Sequence, residues 1–466
     1  MTRQEIDAII YQTMAEFGEK NVCAEANGKW LCETVEEAVQ NALCAQQQLV
    51  QSTLEQRGRL ISAMREAART YSQYLAELAH KETGYGSTAH KTLKNMLAAN
   101  KTPGIEDIPT QAFSGDDGLT LVEGAPWGVI GSITPSTNPT STVINNAISM
   151  IAAGNAVTFN PHPGARHASQ EAMRILNEAI IAAGGPPTLI TTVLKPDLQS
   201  GNDIMKHLKI PLLSITGGEA VVAQAMKYPK RVIAAGPGNP PVIVDESANI
   251  EYAAKCIADG ASFDNNVLCV AEKEVFAFTS IADKLMKELT ENQGAVRVTG
   301  ADIDRLSKTV LVSHEGGFAP NRDYVGRDAS VILDAAGIHY SGKPRLVICE
   351  VDKKHPFIKT EMLMPVLAIS RVMDIDEAIE CAVMAENQYY HSAIMHSQLI
   401  RNLSYAATAL NTTIFVKNAP SYAGLGFGGE GFTTLTISTP TGEGLTSART
   451  FTRARRCVLK GDFRII

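Results

Sequence analysis

The chain has 466 residues, of which 20% are charged and 45% hydrophobic, and its formal net charge is −7. One hydrophobic core does not organise a chain of this length, so we expect two or three domains of an ordinary soluble globular protein. The negative charge argues against nucleic acid as a general partner. No apolar run approaches the roughly 20 residues that span a bilayer, so we expect an intracellular protein with no membrane partner.

Residues 2–18 have the pattern of a short amphipathic helix. One apolar stripe at helical spacing is formed by Ile6, Ile9, Ile10, Met14 and Phe17. The polar residues 19–29 are typical of a linker. Two arrangements fit this pattern: an ordinary first helix packed on the domain, or a detachable helix that docks on a partner surface.

From residue 34 to about residue 100, apolar residues recur three and four positions apart, which predicts helices. Strands and helices then alternate, and this alternation predicts an α/β fold with a parallel, doubly wound sheet. The predicted strands are residues 128–134, 156–159, 189–194, 212–216, 232–235 and 242–245, and the predicted helices are residues 140–153 and 168–183. A second, similar region runs from residue 250 to about 437. The alternating polar and apolar residues 446–466 predict an extended arm.

Cys269 is the most informative residue, because small and amide side chains precede it in Gly260-Ala-Ser-Phe-Asp-Asn-Asn-Val-Leu-Cys269. Small neighbours let a substrate reach the sulfur, so Cys269 is a candidate nucleophile, although a lone cysteine also fits simple buried packing. The eight cysteines are widely spaced without a CxxC pair. This spacing predicts neither a disulfide framework nor a zinc site.

Two turns at strand ends are candidate phosphate or ligand sites. Gly217 and Gly218 follow the predicted strand 212–216, where backbone N–H groups at a helix start can approach an anion, although such a turn also serves structure alone. Asn160-Pro-His162 follows another strand, at the edge of the sheet where ligands bind in such folds. His162 alone is more typical of a loop histidine than of a base.

Two further polar residues stand in restrained surroundings. Asn138 lies between two prolines in Thr134-Pro-Ser-Thr-Asn-Pro139, so its amide could donate to a developing oxyanion, or it could simply be a turn residue. Glu361 lies in an apolar loop, where a carboxylate needs partners such as ribose hydroxyls.

Together and in this order, the segments resemble the aldehyde dehydrogenase superfamily over residues 30–466. More narrowly, the chain is similar to the CoA-acylating acetaldehyde and propionaldehyde dehydrogenases of ethanolamine- and propanediol-utilisation microcompartments. The segments that carry the resemblance are Thr134-Pro-Ser-Thr-Asn-Pro139, Val143-Ile-Asn-Asn-Ala-Ile-Ser149, Ala153-Gly-Asn155, Thr216-Gly-Gly-Glu-Ala-Val221, Gly238-Asn-Pro-Pro-Val242, Gly260-Ala-Ser-Phe-Asp-Asn-Asn266, Phe415-Val-Lys-Asn418, Gly428-Gly-Glu-Gly431, Thr439-Pro-Thr-Gly-Glu-Gly444 and Thr446-Ser-Ala-Arg-Thr-Phe451.

The resemblance implies a ping-pong oxidation of a short aldehyde with NAD and coenzyme A. It implies that Cys269 adds to the carbonyl and becomes a thioester after hydride transfer, and that Asn138 and the Cys269 N–H bind the oxyanion. It implies that Gly217 and Gly218 bind the pyrophosphate and that Glu361 binds the nicotinamide ribose. The full expected cofactor-binding set is Thr134, Pro135, Asn160, Pro161, His162, Thr216, Gly217, Gly218 and Glu361.

Two departures from hydrolytic relatives bear on the second half-reaction. Those relatives carry a glutamate in Glu-Leu-Gly-Gly-Lys, whereas the aligned stretch Ala235-Gly-Pro-Gly-Asn239 has no carboxylate to activate water. Asn160 replaces a lysine near the adenosine ribose, which fits a pocket used by NAD and CoA in turn. His391 matches a histidine of the acylating subgroup that could deprotonate CoA. The alternatives are a hydrolytic dehydrogenase and a catalytically silent shell-associated protein.

The resemblance also implies a domain plan and a location. The expected parts are a targeting helix (1–18), a linker (19–29), a dinucleotide-binding domain (30–111 and 126–235), a catalytic domain (236–437) and a β oligomerisation arm (112–125 and 438–466). The arm implies a homo-oligomer, either a dimer or a dimer of dimers. Residues 2–18 would bind a shell protein and place the enzyme in the cytoplasm within a bacterial microcompartment.

Overall fold

A computed structural model describes residues 27–314 and 316–463. Its first unit contains a six-stranded sheet with the order β1-β6-β5-β4-β7-β8, in which every pair is parallel. The strands are β1 (Leu31–Cys32), β4 (Val129–Thr134), β5 (Ala156–Pro161), β6 (Ile190–Val193), β7 (Leu212–Thr216) and β8 (Arg231–Ala235). The helices are α1 (Val35–Leu49), α2 (Leu54–Thr70), α3 (Ser72–Thr83), α4 (Thr88–Lys101), α5 (Pro139–Ala152), α6 (Arg166–Ala182), α7 (Leu198–Lys206) and α8 (Glu219–Ala225).

The sequence of the central strands explains why this sheet is covered on both faces. All six residues of β5 and the first four residues of β4 are buried, although successive side chains of a strand point to opposite faces. The chain goes from β4 to β5 and β6 on one side, and then to β7 and β8 on the other side. The strand order therefore reverses between β4 and β7, and a ligand crevice forms at such a point.

The second unit contains a seven-stranded parallel sheet with the order β11-β14-β15-β10-β9-β16-β17. Its strands are β9 (Pro241–Val244), β10 (Glu274–Phe278), β11 (Ala295–Val298), β14 (Leu346–Glu350), β15 (Val366–Val372), β16 (Ser392–His396) and β17 (Ile414–Lys417). Its helices are α9 (Ile250–Ser262), α10 (Thr279–Glu291), α11 (Ala301–Val310), α12 (Ala329–Ala335), α13 (Pro356–Lys359), α14 (Ile375–Glu386) and α15 (Ile400–Leu410). The strands β12 (Leu311–His314) and β13 (Gly317–Pro320) form a hairpin.

A separate antiparallel sheet joins two distant parts of the chain. It consists of β2 (Gln111–Gly115), β3 (Gly118–Pro126) and β20 (Thr452–Lys460), with β3 in the middle. Eight of the nine residues of β20 are exposed. The short pair β18 (Ile437–Ser438) and β19 (Gly444–Leu445) leads towards β20, and the Asn155 side chain donates to the Phe451 carbonyl oxygen at 3.0 Å.

The expected α/β class with a doubly wound parallel sheet is confirmed, and the predicted strands and helices agree with the observed bounds within a few residues. Within the described ranges, no helix is long and apolar enough to cross a membrane. Cys44 is disulfide-bonded, which the cysteine spacing did not predict. The expected helix at residues 2–18 and nearly all of the linker lie outside the described residues. The domain boundaries stay predictions.

Candidate active site

The carboxyl ends of three neighbouring strands meet at the point where the strand order reverses. Thr134 ends β4, Pro161 ends β5 opposite it, and Thr216 ends β7. The buried Thr134 hydroxyl has no hydrogen-bond partner. Gly218 directly precedes α8 without a side-chain cap, and the space where a Cβ would stand is open. The free Thr134 hydroxyl and the uncapped start of α8 fit the polar part of a dinucleotide, while the Gly217 N–H donates to the Ala235 carbonyl oxygen at 3.1 Å.

The Asn160 side chain is engaged within the protein. Its amide group donates to the Asp197 carbonyl oxygen at 3.2 Å, and its oxygen accepts from the Ser200 hydroxyl at 2.7 Å. Next to it, the His162 Nδ1 accepts from the Gly164 N–H at 3.1 Å. Burial and the nearby Arg322 charge lower the pKa of His162, so this ring is neutral at physiological pH. The Asn160 amide therefore has protein partners at both its nitrogen and its oxygen in this structure.

A strained turn places the candidate nucleophile. The turn Phe263–Asn266 follows α9, and Asp264, Asn265 and Asn266 have positive φ angles of 48°, 52° and 65°. Such backbone is unfavourable for residues with a Cβ and persists only where surrounding contacts impose it. Here the Asn266 side chain donates to the carbonyl oxygens of Ala261 and Glu272 at 2.8 and 2.9 Å.

Cys269 follows this turn and is partly accessible. Burial and the nearby Glu361 carboxylate raise the pKa of its thiol to about 12, and the Lys273 ammonium offsets part of this rise. Burial likewise raises the pKa of Glu361 to about 6, while Lys273 and the Gly238 N–H, 3.4 Å from Glu361 Oε1, lower it. The structure thus brings Cys269 and Glu361 together, as the sequence predicted only by resemblance.

Replacing Glu361 by Gln is expected to change two quantities. The pKa of Cys269 should fall, because the carboxylate that disfavours the thiolate is removed. Because the resemblance assigns Glu361 to the nicotinamide ribose, the KM for NAD should rise by about tenfold or more, the usual loss for a hydrogen bond to a charged group. Iodoacetamide labelling of Cys269 at fixed pH should be faster in this variant, with Cys269→Ala as the unlabelled control. An unchanged labelling rate would contradict this electrostatic account.

Asn138 lies at the start of α5, but its side chain does not cap the helix. It is the N-cap residue, yet its side chain makes no capping hydrogen bond, and it is only 8% exposed. Its Oδ1 accepts from the Lys94 ammonium at 2.5 Å. Its Nδ2 has a long contact of 3.3 Å with the Thr137 hydroxyl. The amide is thus held at one end and available for donation at the other.

The sequence did not predict the buried charged residues near Asn138 and Cys269. Lys91 and Lys94, three positions apart on one face of α4, both form ion pairs with the buried Asp264. Burial raises the pKa of Asp264, but the two ammonium groups outweigh it and hold the pKa below its ordinary value. Two lysines on the packed face of one helix were the signal that would have indicated a buried acid elsewhere.

His391 lies on the other side of Gly238 from the Cys269 backbone. A Cβ on Gly238 would stand 2.8 Å from both the Cys269 carbonyl oxygen and the His391 Cγ, so this glycine lies between the two residues. The His391 Nδ1 is 2.8 Å from the Ser392 hydroxyl, and its buried Nε2 has no partner. Burial and Lys273 lower the pKa of His391 to about 4. The ring is therefore neutral, and its burial disfavours the protonated form.

Two other features limit what the site can do. Ala235 ends β8 as a buried methyl group and provides no base for water. A narrow cavity of about 10 Å³, roughly the room of one water molecule, lies next to Leu268, the residue before Cys269. Its walls include Leu93, Leu97, Phe263, Leu268, Tyr422 and Phe427.

A nucleophilic thiol, an oriented amide and a crevice for a dinucleotide define an NAD-linked enzyme that forms a covalent acyl intermediate. Residues 19–434 match the model of the aldehyde dehydrogenase family, and the chain belongs to this family. It is 48% identical over 470 residues to the acetaldehyde dehydrogenase (acetylating) EutE of Salmonella typhimurium, with 100% of both chains covered.

Solved structures agree with this family. A propionaldehyde dehydrogenase from the Clostridium phytofermentans fucose utilisation bacterial microcompartment superimposes with a TM-score of 0.91 at 46% identity, covering 94% of this chain and 100% of that chain. A Rhodopseudomonas palustris propionaldehyde dehydrogenase with bound CoA and an acylated cysteine gives a TM-score of 0.90 at 46% identity, covering 92% and 98%.

Proposed function

We propose that this protein oxidises a short-chain aldehyde with NAD and CoA to acyl-CoA and NADH, through a thioester on Cys269. One observation carries the proposal: the Cys269 thiol interacts electrostatically with the Glu361 carboxylate and with Lys94, whose ammonium binds the Asn138 amide oxygen. The relatives with known structures include one with CoA and an acylated cysteine, which supports the same reaction type.

In the first half-reaction, the Cys269 sulfur bonds to the aldehyde carbon and one proton is released. The carbonyl oxygen becomes an oxyanion, which Asn138 Nδ2–H and the Cys269 backbone N–H stabilise. NAD, when bound, accepts the hydride that leaves this carbon, so that a thioester remains on the protein. Thr134, Gly217 and Gly218 would hold the dinucleotide phosphates and Glu361 the ribose.

In the second half-reaction, CoA takes the acyl group. The CoA thiol loses its proton, for which the resemblance assigns His391, and its sulfur attacks the thioester carbon. The Cys269 thiolate leaves and is protonated again. Water competes poorly, because Ala235 stands where a hydrolytic relative has a carboxylate. This argues against the hydrolytic alternative.

Acyl groups of two or three carbons should be preferred. The cavity next to Leu268 has a volume of about 10 Å³, so each methylene added to the acyl chain has to displace one of its apolar side chains. We expect kcat/KM to fall by tenfold or more from propionaldehyde to pentanal, which is about 1.4 kcal/mol or more of lost transition-state binding.

The chain-length preference can be assigned to the cavity with one variant. Leu97→Ala should widen it and raise kcat/KM for pentanal relative to acetaldehyde, measured by NADH absorbance with CoA present. An activity on pentanal equal to that on acetaldehyde in the unchanged protein would contradict the assignment to short aldehydes.

Assembly and location are further parts of the proposal. The exposed strand β20 has one strand neighbour among the described residues, and β17 ends the seven-stranded sheet, so both edges suit pairing with a second copy. Light scattering after size exclusion would measure the resulting dimer or dimer of dimers. Residues 2–18 would carry the enzyme into a microcompartment, which a fluorescent protein fused to residues 1–29 would test by co-localisation with the shell.

A further inference from the structure

Two buried lysines bind the oxygen ends of the two amides whose N–H groups the proposed function assigns to the carbonyl oxygen of the substrate. Lys94 donates to Asn138 Oδ1 at 2.5 Å, and it is 4% exposed. Lys273 donates to the carbonyl oxygen of Leu268 at 3.2 Å, and it is 1% exposed. The Leu268 carbonyl belongs to the same peptide group as the Cys269 N–H. Each donor of the oxyanion site is therefore one end of an amide whose other end contacts an ammonium group.

An ammonium at the oxygen of an amide strengthens the N–H at the other end. Conjugation draws electron density from the nitrogen towards the bound oxygen, and hydrogen bonds in such chains reinforce one another in a water-poor site. Lys94 also fixes orientation, because a lysine has donors only and Asn138 must turn its oxygen towards it. The Asn138 Nδ2 then points away from Lys94.

The surrounding charges hold both lysines in place. Lys94 shares the carboxylate of Asp264 with Lys91, which also donates to the Thr137 carbonyl oxygen at 3.4 Å but has no contact with Asn138. Lys273 donates to two oxygens of Asn266, at 3.0 Å to its carbonyl and 2.5 Å to its side chain. Neither ammonium is free to swing towards a substrate.

We propose that Lys94 and Lys273 are positioning residues, which orient and polarise the Asn138 amide and the Leu268–Cys269 peptide for oxyanion stabilisation. The inference rests on the proposed function, in which these two N–H groups bind the carbonyl oxygen. It extends that function because the positive charges of Lys94 and Lys273 act on the substrate oxygen through an intervening amide and not by direct contact.

The test compares Lys94→Met with Lys91→Met, since both variants lose one ammonium from the same buried pair. The readout is the single-turnover rate of NADH formation from acetaldehyde and NAD without CoA. Lys94→Met should lose about 10²-fold, the scale of one oxyanion donor, with KM for NAD unchanged. Lys91→Met should lose at most about threefold, although both should lower the melting temperature similarly because Asp264 loses one partner in each. Lys94→Gln keeps a donor without the charge and should regain part of the rate.

A double-variant cycle separates positioning from structural damage. In an Asn138→Ala background, Lys94→Met should cost nothing further, because the group through which it acts is gone. Lys273→Gln should slow the reaction in both backgrounds, because it acts through the other amide. Equal losses for Lys94→Met and Lys91→Met, or a full Lys94 effect without Asn138, would overturn the inference for Lys94, and an unchanged rate in Lys273→Gln would overturn it for Lys273.

A different result would contradict the proposed function. If the unchanged protein forms no NADH from acetaldehyde and NAD, with or without CoA, then the reaction itself is wrong and the lysine variants cannot be the cause. If it does form NADH, only the pattern across the variants decides the role of the two lysines. Circular dichroism and the melting temperature of each variant show whether its rate belongs to a folded protein.

Discussion

Replacing Cys269 by Ala is expected to abolish NADH formation from aldehyde, with a loss of at least about 10⁴-fold both with CoA and without it. The sulfur is the atom that bonds to substrate, and no neighbouring group can take its place, since the adjoining side chains of Leu268 and Val270 are apolar. The reverse reaction, from acyl-CoA and NADH, should be lost equally. The fold should persist, because alanine keeps the Cβ and removes only the sulfur of a partly accessible side chain.

The matched control is Cys457→Ala, which removes an exposed thiol on β20. That variant should keep full activity. Substantial CoA-dependent NADH formation by folded Cys269→Ala would contradict the covalent route, because hydride transfer would then proceed without a bond to this sulfur. The rate is measured by absorbance, and the melting temperature of each variant confirms that it is folded.

Replacing Asn138 by Ala is expected to lower the rate of the first half-reaction by about 10²–10³-fold, the usual loss of one oxyanion donor. The melting temperature should fall little from helix effects, because the Asn138 side chain does not cap α5. The measurement is the single-turnover rate of NADH formation with saturating aldehyde.

Asn145→Ala, in the helix that follows Asn138, is a control that should lose stability and keep its rate. The buried Asn145 donates to the Thr102 hydroxyl at 2.9 Å and accepts from the Leu435 N–H at 3.0 Å, so its loss should lower stability by roughly 1–3 kcal/mol. Its single-turnover rate should stay close to that of the unchanged protein. If Asn138→Ala behaved like this control, losing stability but not rate, the oxyanion role of Asn138 would be wrong.

The sequence predicted the fold well because its signals are local. Apolar runs between glycine and proline turns, such as residues 128–134 and 156–159, indicate buried parallel strands without knowledge of their neighbours. The strand ends then follow from the topology, since parallel strands present their carboxyl ends at one edge of the sheet. Cys269 and Glu361 were predicted as site residues through the resemblance of the chain to a family. The structure adds that the Glu361 carboxylate raises the pKa of the Cys269 thiol.

The buried charges could not be predicted, because their partners are far apart in the chain. Lys94 and Asp264 are separated by 170 residues, and nothing local indicates that the ammonium contacts both Asp264 and Asn138. A different limit applies to Lys273, which is only five residues from Leu268 but whose contact with that carbonyl oxygen depends on the path of a strained turn. The partners of Asn160 are also distant in the chain, since its amide is engaged by Asp197 and Ser200, which follow it by about forty residues.

The acyl-enzyme decides the central claim most directly, and mass spectrometry of the intact protein can observe it. The protein is mixed with propionaldehyde and NAD without CoA, and the mass and the NADH formed are followed together. We expect one propionyl group per chain, located on Cys269, one equivalent of NADH, and then persistence of the adduct until CoA is added and propionyl-CoA appears. Continuous NADH formation without CoA, or CoA-dependent turnover with no adduct at Cys269, would contradict the account.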